Sequence, residues 1–600
     1  MSAYVAPLRD MRFVLNELAG LDQIAKLPGC EEATRDTVDA ILEQASKFAS
    51  EVLDPLNYSG DQEGSKWDDG AVTTPKGFKE AYRQYVEGGW GALPVAAKWG
   101  GQGLPRLVST PVEEMWCSAN MSFSLCPMLT QGALHALELR GSDRLQKAFL
   151  PKMASGEWTG TMNLTEPQAG SDLALIRTRA ERRGDHYRIF GQKIFITFGE
   201  HDYTDNIIHL VLGRTPDAPE GVKGISLFIV PKYLVNADGS LGARNDVRCA
   251  SIEHKLGIHA SPTAVMIFGD KGEGAVGYLV GEENRGLETM FIMMNAARFA
   301  VGLEGVAIAE RAFQRALAYA KERVQGRDLV AGGKAVPIIR HPDVRRMLML
   351  MKSQAEAMRA LAYVAAAALD AAHRHPDRQA RQRNQAFVDL IIPVVKGWST
   401  ETGIEVASLG VQVHGGMGFV EETGAAQHYR DARIATIYEG TTGIQANDLV
   451  GRKIAREAGG TAKALLAELR KFDGELAESK NADIQMLRAS LSTGVAAVSD
   501  CVEFILANAG KDPRMAFAGA VPFLKLMGIV SGGWQMARAA LVSEQKLAAK
   551  EGDLPFYAAK IATARFFGDH VLSQARGLRD AVVNGSGTVM ALDEEQFLAA

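Results

Sequence analysis

MNLTEPQAGSD, residues 162–172, followed by KIFIT, residues 193–197, decides how the chain is built. The first stretch packs Thr165, Ser171 and two backbone-shaping residues, Pro167 and Gly170, into one turn, which is how a chain offers backbone and hydroxyl hydrogen bonds to a polar ring edge. In the second, the aromatic Phe195 stands two positions before the hydroxyl of Thr197, so a strand turns both to one face. A ring and a donor on one face suit a stacked heterocycle, while packing in a core is the commoner use of such a pair.

Outward from these motifs the texture changes. From about Arg35 to Leu150 apolar residues recur at steps of three and four, the spacing of helices, interrupted by GGWGALPVAAKWGGQGLP at 88–105. Between about Thr161 and Val280 short runs bounded by turns take over: HYRIFGQKIFIT, DNIIHLVLGRT, GISLFIVP, AVMIFGD and AVGYLVG. Rich in Ile, Val, Phe and Tyr, they predict a small antiparallel β-domain. After Arg285 the helical pattern returns, and Val306, Ala309, Phe313, Leu317 and Ala320 place one buried stripe on a long proline-free helix. A charged segment, LAELRKFDGELAESKNAD, then opens a further helical stretch. The expectation is a mainly α protein with a central β-barrel domain. Its parts are an N-terminal helical domain at 1–160, a middle β-barrel domain at 161–281, a helical domain at 282–456 and a helical C-terminal extension at 457–600.

With 600 residues, 47% hydrophobic, and a formal net charge of −5, the chain is too long for one core and has no electrostatic footprint for nucleic acid or an anionic membrane. Cys30, Cys117, Cys126, Cys249 and Cys501 lack CxxC spacing, so neither a zinc site nor a disulfide framework is expected. That usage fits a reducing compartment. With Arg9, Asp10 and Arg12 standing where an apolar leader would begin, the expected location is cytoplasmic.

Several patterns mislead. Gly272, Gly274 and Gly277 satisfy GxGxxG, but YLVG follows where a dinucleotide fingerprint must open a helix, so a hairpin turn is the better reading. His373 and His375, in HRHP, do not face one another on a helix and read as a solvated helix end. Neither a GxSxG elbow, a Walker A loop nor an HExxH helix is present, and no metal is expected. What remains is IYEGTTGIQ, residues 437–445: one acid, Glu439, between an aromatic and Gly440, with no histidine, metal-ligand cluster or second carboxylate at a useful spacing. A lone acid can begin a proton abstraction, but something else must finish the reaction.

With KERVQGRD at 321–328 and VQVHGGMGF at 411–419, these motifs in this order resemble those of the acyl-CoA dehydrogenases over roughly residues 35–452. The resemblance implies a helical domain, a β-barrel and a four-helix domain, with FAD as cofactor and its isoalloxazine ring between the barrel and the C-terminal helices. It also implies an activity. The glutamate of YEGT removes the proton alpha to a thioester carbonyl while the β-hydrogen leaves as hydride to the flavin, giving a trans-2-enoyl-CoA. A carboxylate is too weak a base for a free thioester. The site must therefore aim donors at the developing enolate oxygen, in the family the N–H of the glutamate and a ribityl hydroxyl, and raise the base's own pKa by desolvation. The second half of the chemistry belongs to the cofactor.

Carried over residue by residue, the resemblance implies Glu439 as the base and Met162, Leu164, Thr165, Phe195, Thr197, Gln412, Gly416 and Thr441 at the flavin. Arg323, on the helical KERVQGRD, would reach the FAD pyrophosphate of a neighbouring subunit, and Ser171, Asn295, Arg298 and Gly440 would meet the substrate. Phe195 stands where a tryptophan is commoner, Asn295 where an aspartate is usual, and Gly443 where many members carry glutamate or glutamine. Gln168, the long segment FGEHDYTDNIIHLVLGRT and the extension are similar to large bacterial members of the family, a group that includes 3-methylthiopropanoyl-CoA dehydrogenases.

The partners implied are an acyl-CoA, an electron-transfer flavoprotein as acceptor and a second copy of the chain in a homodimer, with neither nucleic acid nor a membrane, and the setting implied is fatty acid β-oxidation. An acyl-CoA oxidase using O₂ and a flavin-containing DNA-associated relative are the alternatives, and the mild acidity of the chain weighs against the second. The apolar run FAGAVPFLKLMGIVSGGWQMARAAL, 517–541, is broken by Pro522 and Lys525 and is expected to pack as a helix pair on the core or at a subunit interface.

Overall fold

The computed structural model describes residues 3–330 and 332–598. The chain divides into two compact units, one of Gln44–Pro105 and Met115–Ala300, the other of Met1–Glu43, Arg106–Glu114 and Val301–Ala600.

The first unit joins helices to an eight-stranded sheet. Its strands are β1 (Trp158–Asn163), β2 (Arg179–Arg183), β3 (His186–Thr197), β4 (Asn206–Gly213), β5 (Ser226–Pro231), β6 (Val247–Ile252), β7 (Thr263–Phe268) and β8 (Ala275–Leu279). They run in the order β6-β7-β3-β8-β5-β4-β1, with β2 bonded to β3, as an open curled sheet. Ala133, Leu137, Phe149, Met153 and Trp158 join Ile208 and Leu210 in one core, and Tyr187, Ile189, Val211, Phe228 and Met266 form a second.

Two features differ from the sequence-based expectation. β1 pairs with β4 in parallel, Trp158 opposite Asn206, so the domain is not wholly antiparallel. WTGTMN carries little β-branched signal, and it is buried on both sides as parallel strands are. β7 and β8 both pair with β3, against Gly191–Thr197 and Tyr187–Ile189. The GxGxxG stretch therefore leads from one to the other of two segments laid on a single long partner and is not a hairpin turn.

In the second unit the main helices are α1 (Gly286–Glu322, from Val301 on), α2 (Pro342–Arg374), α3 (Arg378–His414) and α4 (Thr442–Asp448). Every residue of α1 from Ala297 to Ala312 is buried, so the single stripe expected there is replaced by burial all round, and Phe313 and Leu317 are only half-buried. Glycines let α3 approach closely: a Cβ on Gly302 would meet Val395 at 2.7 Å and one on Gly305 would meet the Ser399 carbonyl at 2.3 Å. The helix stops at Glu322. Residues Val324–Asp328 (β9) and Gly332–Pro337 (β10) form an exposed antiparallel hairpin, so KERVQGRD is helical only at its start. Gly326 adopts φ 74°, a left-handed conformation that a continuing helix excludes.

The extension adds α5 (Gly460–Ala477), α6 (Ala482–Ala509), α7 (Ala520–Ala549) and α8 (Leu554–His570). α7 packs on α2, α3 and α4, and α8 on α2. From Ala520 the run at 517–541 is one continuous helix and not a pair, because Pro522 falls in its first turn, and it lies on the preceding helices. Its small residues allow this: a Cβ on Gly528 would meet the Trp398 ring at 2.2 Å and one on Gly532 would meet it at 2.5 Å. α1 and α6 have the length and hydropathy of membrane-crossing segments, but 72% of that window in α1 is buried inside the protein.

A buried ionic network ties the termini to this unit. Arg359 of α2 donates to Glu114 at 2.6 Å, Asp10 at 2.7 Å and Glu310 at 2.8 Å, while Lys560 of α8 binds Asp10 and donates to Glu356 at 2.8 Å. Breaking any one member would leave an uncompensated buried charge.

Two glycines test the extension's fit. Gly528→Val forces a side chain into Trp398 and should cost about 1–3 kcal/mol by denaturant unfolding of the full chain. Gly474→Ala, on the exposed side of α5 with open space at its Cβ, should instead add about 0.5–1 kcal/mol.

Candidate active site

The loop after β1 is held by a buried ion pair that its motifs contain. Glu166, 4% exposed, accepts from the Arg177 N–H at 2.6 Å, the Thr178 N–H at 3.0 Å, the Thr178 hydroxyl at 2.6 Å, the Gln168 amide at 2.7 Å and the Lys193 ammonium at 2.8 Å. Lys193 also donates to the Leu164 carbonyl at 2.9 Å, and Ile194 N–H to the Thr165 carbonyl at 2.9 Å, which fixes the loop along β3. Burial pushes the Glu166 carboxyl up, but the Lys193 charge and the hydrogen bonds prevail and hold it at about 2. Burial brings Lys193 down to about 8 against the attraction of Glu166.

On this frame Met162 and Thr165 are half-buried, Leu164 is buried and Ser171 is exposed. Phe195 is 59% exposed, which excludes core packing as its role within this unit. A register shift opposite Ile194 and Phe195, with φ 59° at Phe195, shows that a β-bulge presents the ring and not plain strand alternation. Ile196 is then buried and Thr197 half-buried. Asn295 is exposed, and its Oδ1 lies 3.5 Å from Nη1 of Arg298, which is only 5% exposed.

In the second unit Arg323 is exposed and is the first residue past α1, its N–H bonded to the Tyr319 carbonyl at 2.8 Å. Gln412 is exposed in the last turn of α3, and a Cβ on Gly416 would meet nothing within 4 Å. Thr441 caps α4, its hydroxyl accepting from the Ile444 N–H at 3.2 Å.

Just before that cap lies Glu439, half-buried, in a left-handed conformation at φ 55° with Gly440 at φ 85°. Such a conformation costs a glutamate about 1–3 kcal/mol unless its surroundings enforce it. Three side-chain hydrogen bonds hold this turn. Gln445 donates to the Glu439 carbonyl at 3.0 Å, Lys396 donates to the Gly440 carbonyl at 2.6 Å, and the Tyr438 hydroxyl donates to Glu304 of α1. Burial raises the Glu304 carboxyl to about 8; the Tyr438 bond and Lys396 oppose the shift and Glu439 adds to it.

A second carboxyl is therefore present near Glu439, from another helix. Glu166, Lys193, Glu304 and Lys396 were all missed as functional supports. The signal for the last two was a lone charged residue inside an apolar helical run, VGLEGVAIA and IIPVVKGW.

Four family models match in succession: the acyl-CoA dehydrogenase N-terminal domain at 35–157, middle domain at 161–270 and C-terminal domain at 284–454, then an acetyl-CoA dehydrogenase C-terminal-like domain at 465–593. The chain belongs to the acyl-CoA dehydrogenase family. It is 51% identical to the 3-methylmercaptopropionyl-CoA dehydrogenase of Ruegeria pomeroyi over 95% of this chain and 96% of that one. It is 35% identical to a butyryl-CoA dehydrogenase of Syntrophomonas wolfei over 99% of both. An acyl-CoA dehydrogenase from Bacillus anthracis, solved with FAD, has the same fold at TM-score 0.74 and 22% identity, covering 96% of this chain and 92% of that one.

As a member of this family the chain is an oxidoreductase acting on acyl-CoA thioesters with FAD as cofactor. Its own residues fit that cofactor. Phe195 offers an exposed ring face, Thr165, Ser171 and Thr197 offer hydroxyls, Gly416 an open backbone, and Gln412 and Arg323 an exposed amide and cation, which are the kinds of group that would suit a flavin and a diphosphate.

The loop frame predicts a pH signature. Because the Glu166 pKa is depressed from 4.5 to about 2, its stabilisation is complete above 4.5 and is lost as pH falls from there through 2. Glu166→Gln leaves the Lys193 ammonium buried and unpaired and should cost about 3–5 kcal/mol at pH 7 by denaturant unfolding. The gap between variant and wild type should narrow in acid.

Proposed function

We propose that the chain oxidises a short acyl-CoA to its trans-2-enoyl-CoA, with Glu439 as the base. The observation that carries this reading is the turn at Glu439, a half-buried acid in a left-handed backbone conformation, where Gln445 donates to its carbonyl, Lys396 to the Gly440 carbonyl and the preceding Tyr438 to Glu304. A base whose backbone is fixed in this way projects its side chain from one place, which abstraction of a weakly acidic α-proton requires.

When bound, FAD supplies the acceptor for the β-hydrogen. The chain's residues do the remainder. Glu439 takes the α-proton onto a carboxylate oxygen, and Gly440, Ser171, Asn295 and Arg298 meet the thioester and its CoA arm. Met162, Leu164, Thr165, Phe195, Thr197, Gln412, Gly416 and Thr441 contact the flavin. Arg323, exposed past the end of α1, serves the FAD diphosphate of a second copy, so the working form is a homo-oligomer. The form proposed is a homodimer, with the extension packed over helices α2 and α3.

The names of the two relatives support a short acyl group, 3-methylmercaptopropionyl or butyryl. Electrons leave to an electron-transfer flavoprotein, in the cytoplasm.

Glu439→Gln should keep its FAD and lose at least about 10³-fold in turnover, read as anaerobic flavin bleaching by butyryl-CoA and 3-methylmercaptopropionyl-CoA. Bleaching at the wild-type rate rejects Glu439 as the base. Arg323→Ala should shed FAD on gel filtration while its far-UV circular dichroism is unchanged. A fully flavinated, monomeric variant contradicts the shared site.

A further inference from the structure

Glu304 is an acid beside Glu439 to which the reaction assigns no task. It sits on the fully buried part of α1, among Ala300, Val301, Ala307 and Ile308, and is itself 2% exposed. One carboxyl oxygen, Oε2, accepts from the Tyr438 hydroxyl; the other, Oε1, is buried with no hydrogen-bond partner. A buried acid with an unsatisfied oxygen weakens a fold, and a leucine would suit this helix face better. Its single bond leads to the residue that precedes the base.

We propose that Glu304 is a positioning residue for Glu439: its carboxyl anchors the Tyr438 hydroxyl and so fixes the strained peptide from which the base projects. The proposal rests on Glu439 being the base. Three constraints then act on one turn from three elements, Glu304 of α1 on the residue before the base, Lys396 of α3 on the Gly440 carbonyl and Gln445 of α4 on the carbonyl of Glu439 itself. Removing the first takes away the bond of the Tyr438 hydroxyl on the entering side of the turn, where the other two do not act and where the Tyr438 N–H still holds the Ile434 carbonyl at 3.1 Å.

The chemistry of the anchor suits its place. The groups that face Glu304 are Tyr438, Lys396 and Glu439, and with its carboxyl lifted to about 8, chiefly by burial, it carries a proton at neutral pH. It thus offers Tyr438 an acceptor without placing a second negative charge beside the base. A glutamine has the same shape, the same acceptor and no charge, whereas a leucine has the volume and no acceptor.

The test uses full-length holoenzyme and steady-state kinetics with butyryl-CoA. Tyr438→Phe and Glu304→Leu should each lower kcat about 10²-fold, and Glu304→Gln should stay within about threefold of wild type. KM should stay within about threefold and FAD content unchanged in all of them, the split expected when orientation and not binding is lost. The double variant Glu304→Leu/Tyr438→Phe should be no slower than either single one, because both remove the same bond. Wild-type kcat in Tyr438→Phe, losses that multiply in the double variant, or a Glu304→Gln as slow as Glu304→Leu would overturn the proposal. Should Glu304→Leu not fold, Tyr438→Phe, at a half-buried residue, decides alone. Glu439→Gln run in parallel separates the two readings. If it is inactive while Tyr438→Phe is at full speed, the anchor is wrong and the base stands; if Glu439→Gln turns over normally, the base itself is wrong.

Discussion

The Lys396 ammonium, 0% exposed, donates to the carbonyl of Gly440 and holds open a turn that no regular helix or strand would form. Much of the second unit serves that bond. Lys396 must lie inside the bundle, so α3 must be covered on the side away from α1 as well as toward it. Gly302 and Gly305 bring α1 close on one side, and Gly397, where a Cβ would meet Leu524 at 2.4 Å, admits the extension helix α7 on another. Burying an ammonium is costly unless its donors are used, and the backbone carbonyl that uses one belongs to Gly440, the residue after Glu439. The cost of the buried cation and the strain at Glu439 are in this way offset together.

The extension acquires a physical role from the same arrangement. α7 packs against α4 as well as α2 and α3, so it lies behind the helix that follows the Glu439 turn. Trp398, two residues from Lys396, fits against Gly528 and Gly532 of α7. The extension adds no acid or base to the turn; it supplies the apolar wall that lets a charged residue sit in the interior of α3.

How much of this could be read in the sequence follows the range of the interactions. The strands and helices were legible where local pattern decides them, as in HYRIFGQKIFIT, whose aromatic and β-branched residues form β3. WTGTMN was not legible as a strand because its burial comes from β4 and from the helices that pack across it, which its own residues do not announce. KERVQGRD reads as the end of a helix until Gly326 takes a left-handed φ, which a glycine permits but does not announce. The motif residues of the candidate site were legible as short local words. Their supports were legible only in part: Glu166 and Lys193 lie inside the quoted motifs, yet that they bond to one another across the loop is a tertiary fact. Glu304 and Lys396 stood out as single charged residues in apolar runs, but nothing local says that both lead to the same turn. The bulge at Phe195 likewise depends on the register of β7, a strand distant in the chain.

Removal of an α-proton by Glu439, as proposed for this turn, is a step that can be observed apart from the oxidation. A CoA thioester with α-hydrogens and no β-hydrogen, such as α-deuterated phenylacetyl-CoA, cannot be dehydrogenated but can still exchange at the α-carbon. Followed by NMR in water, the wild-type holoenzyme should wash out the α-deuterium and Glu439→Gln should leave it in place. Equal exchange by the two proteins would show that Glu439 is not the base.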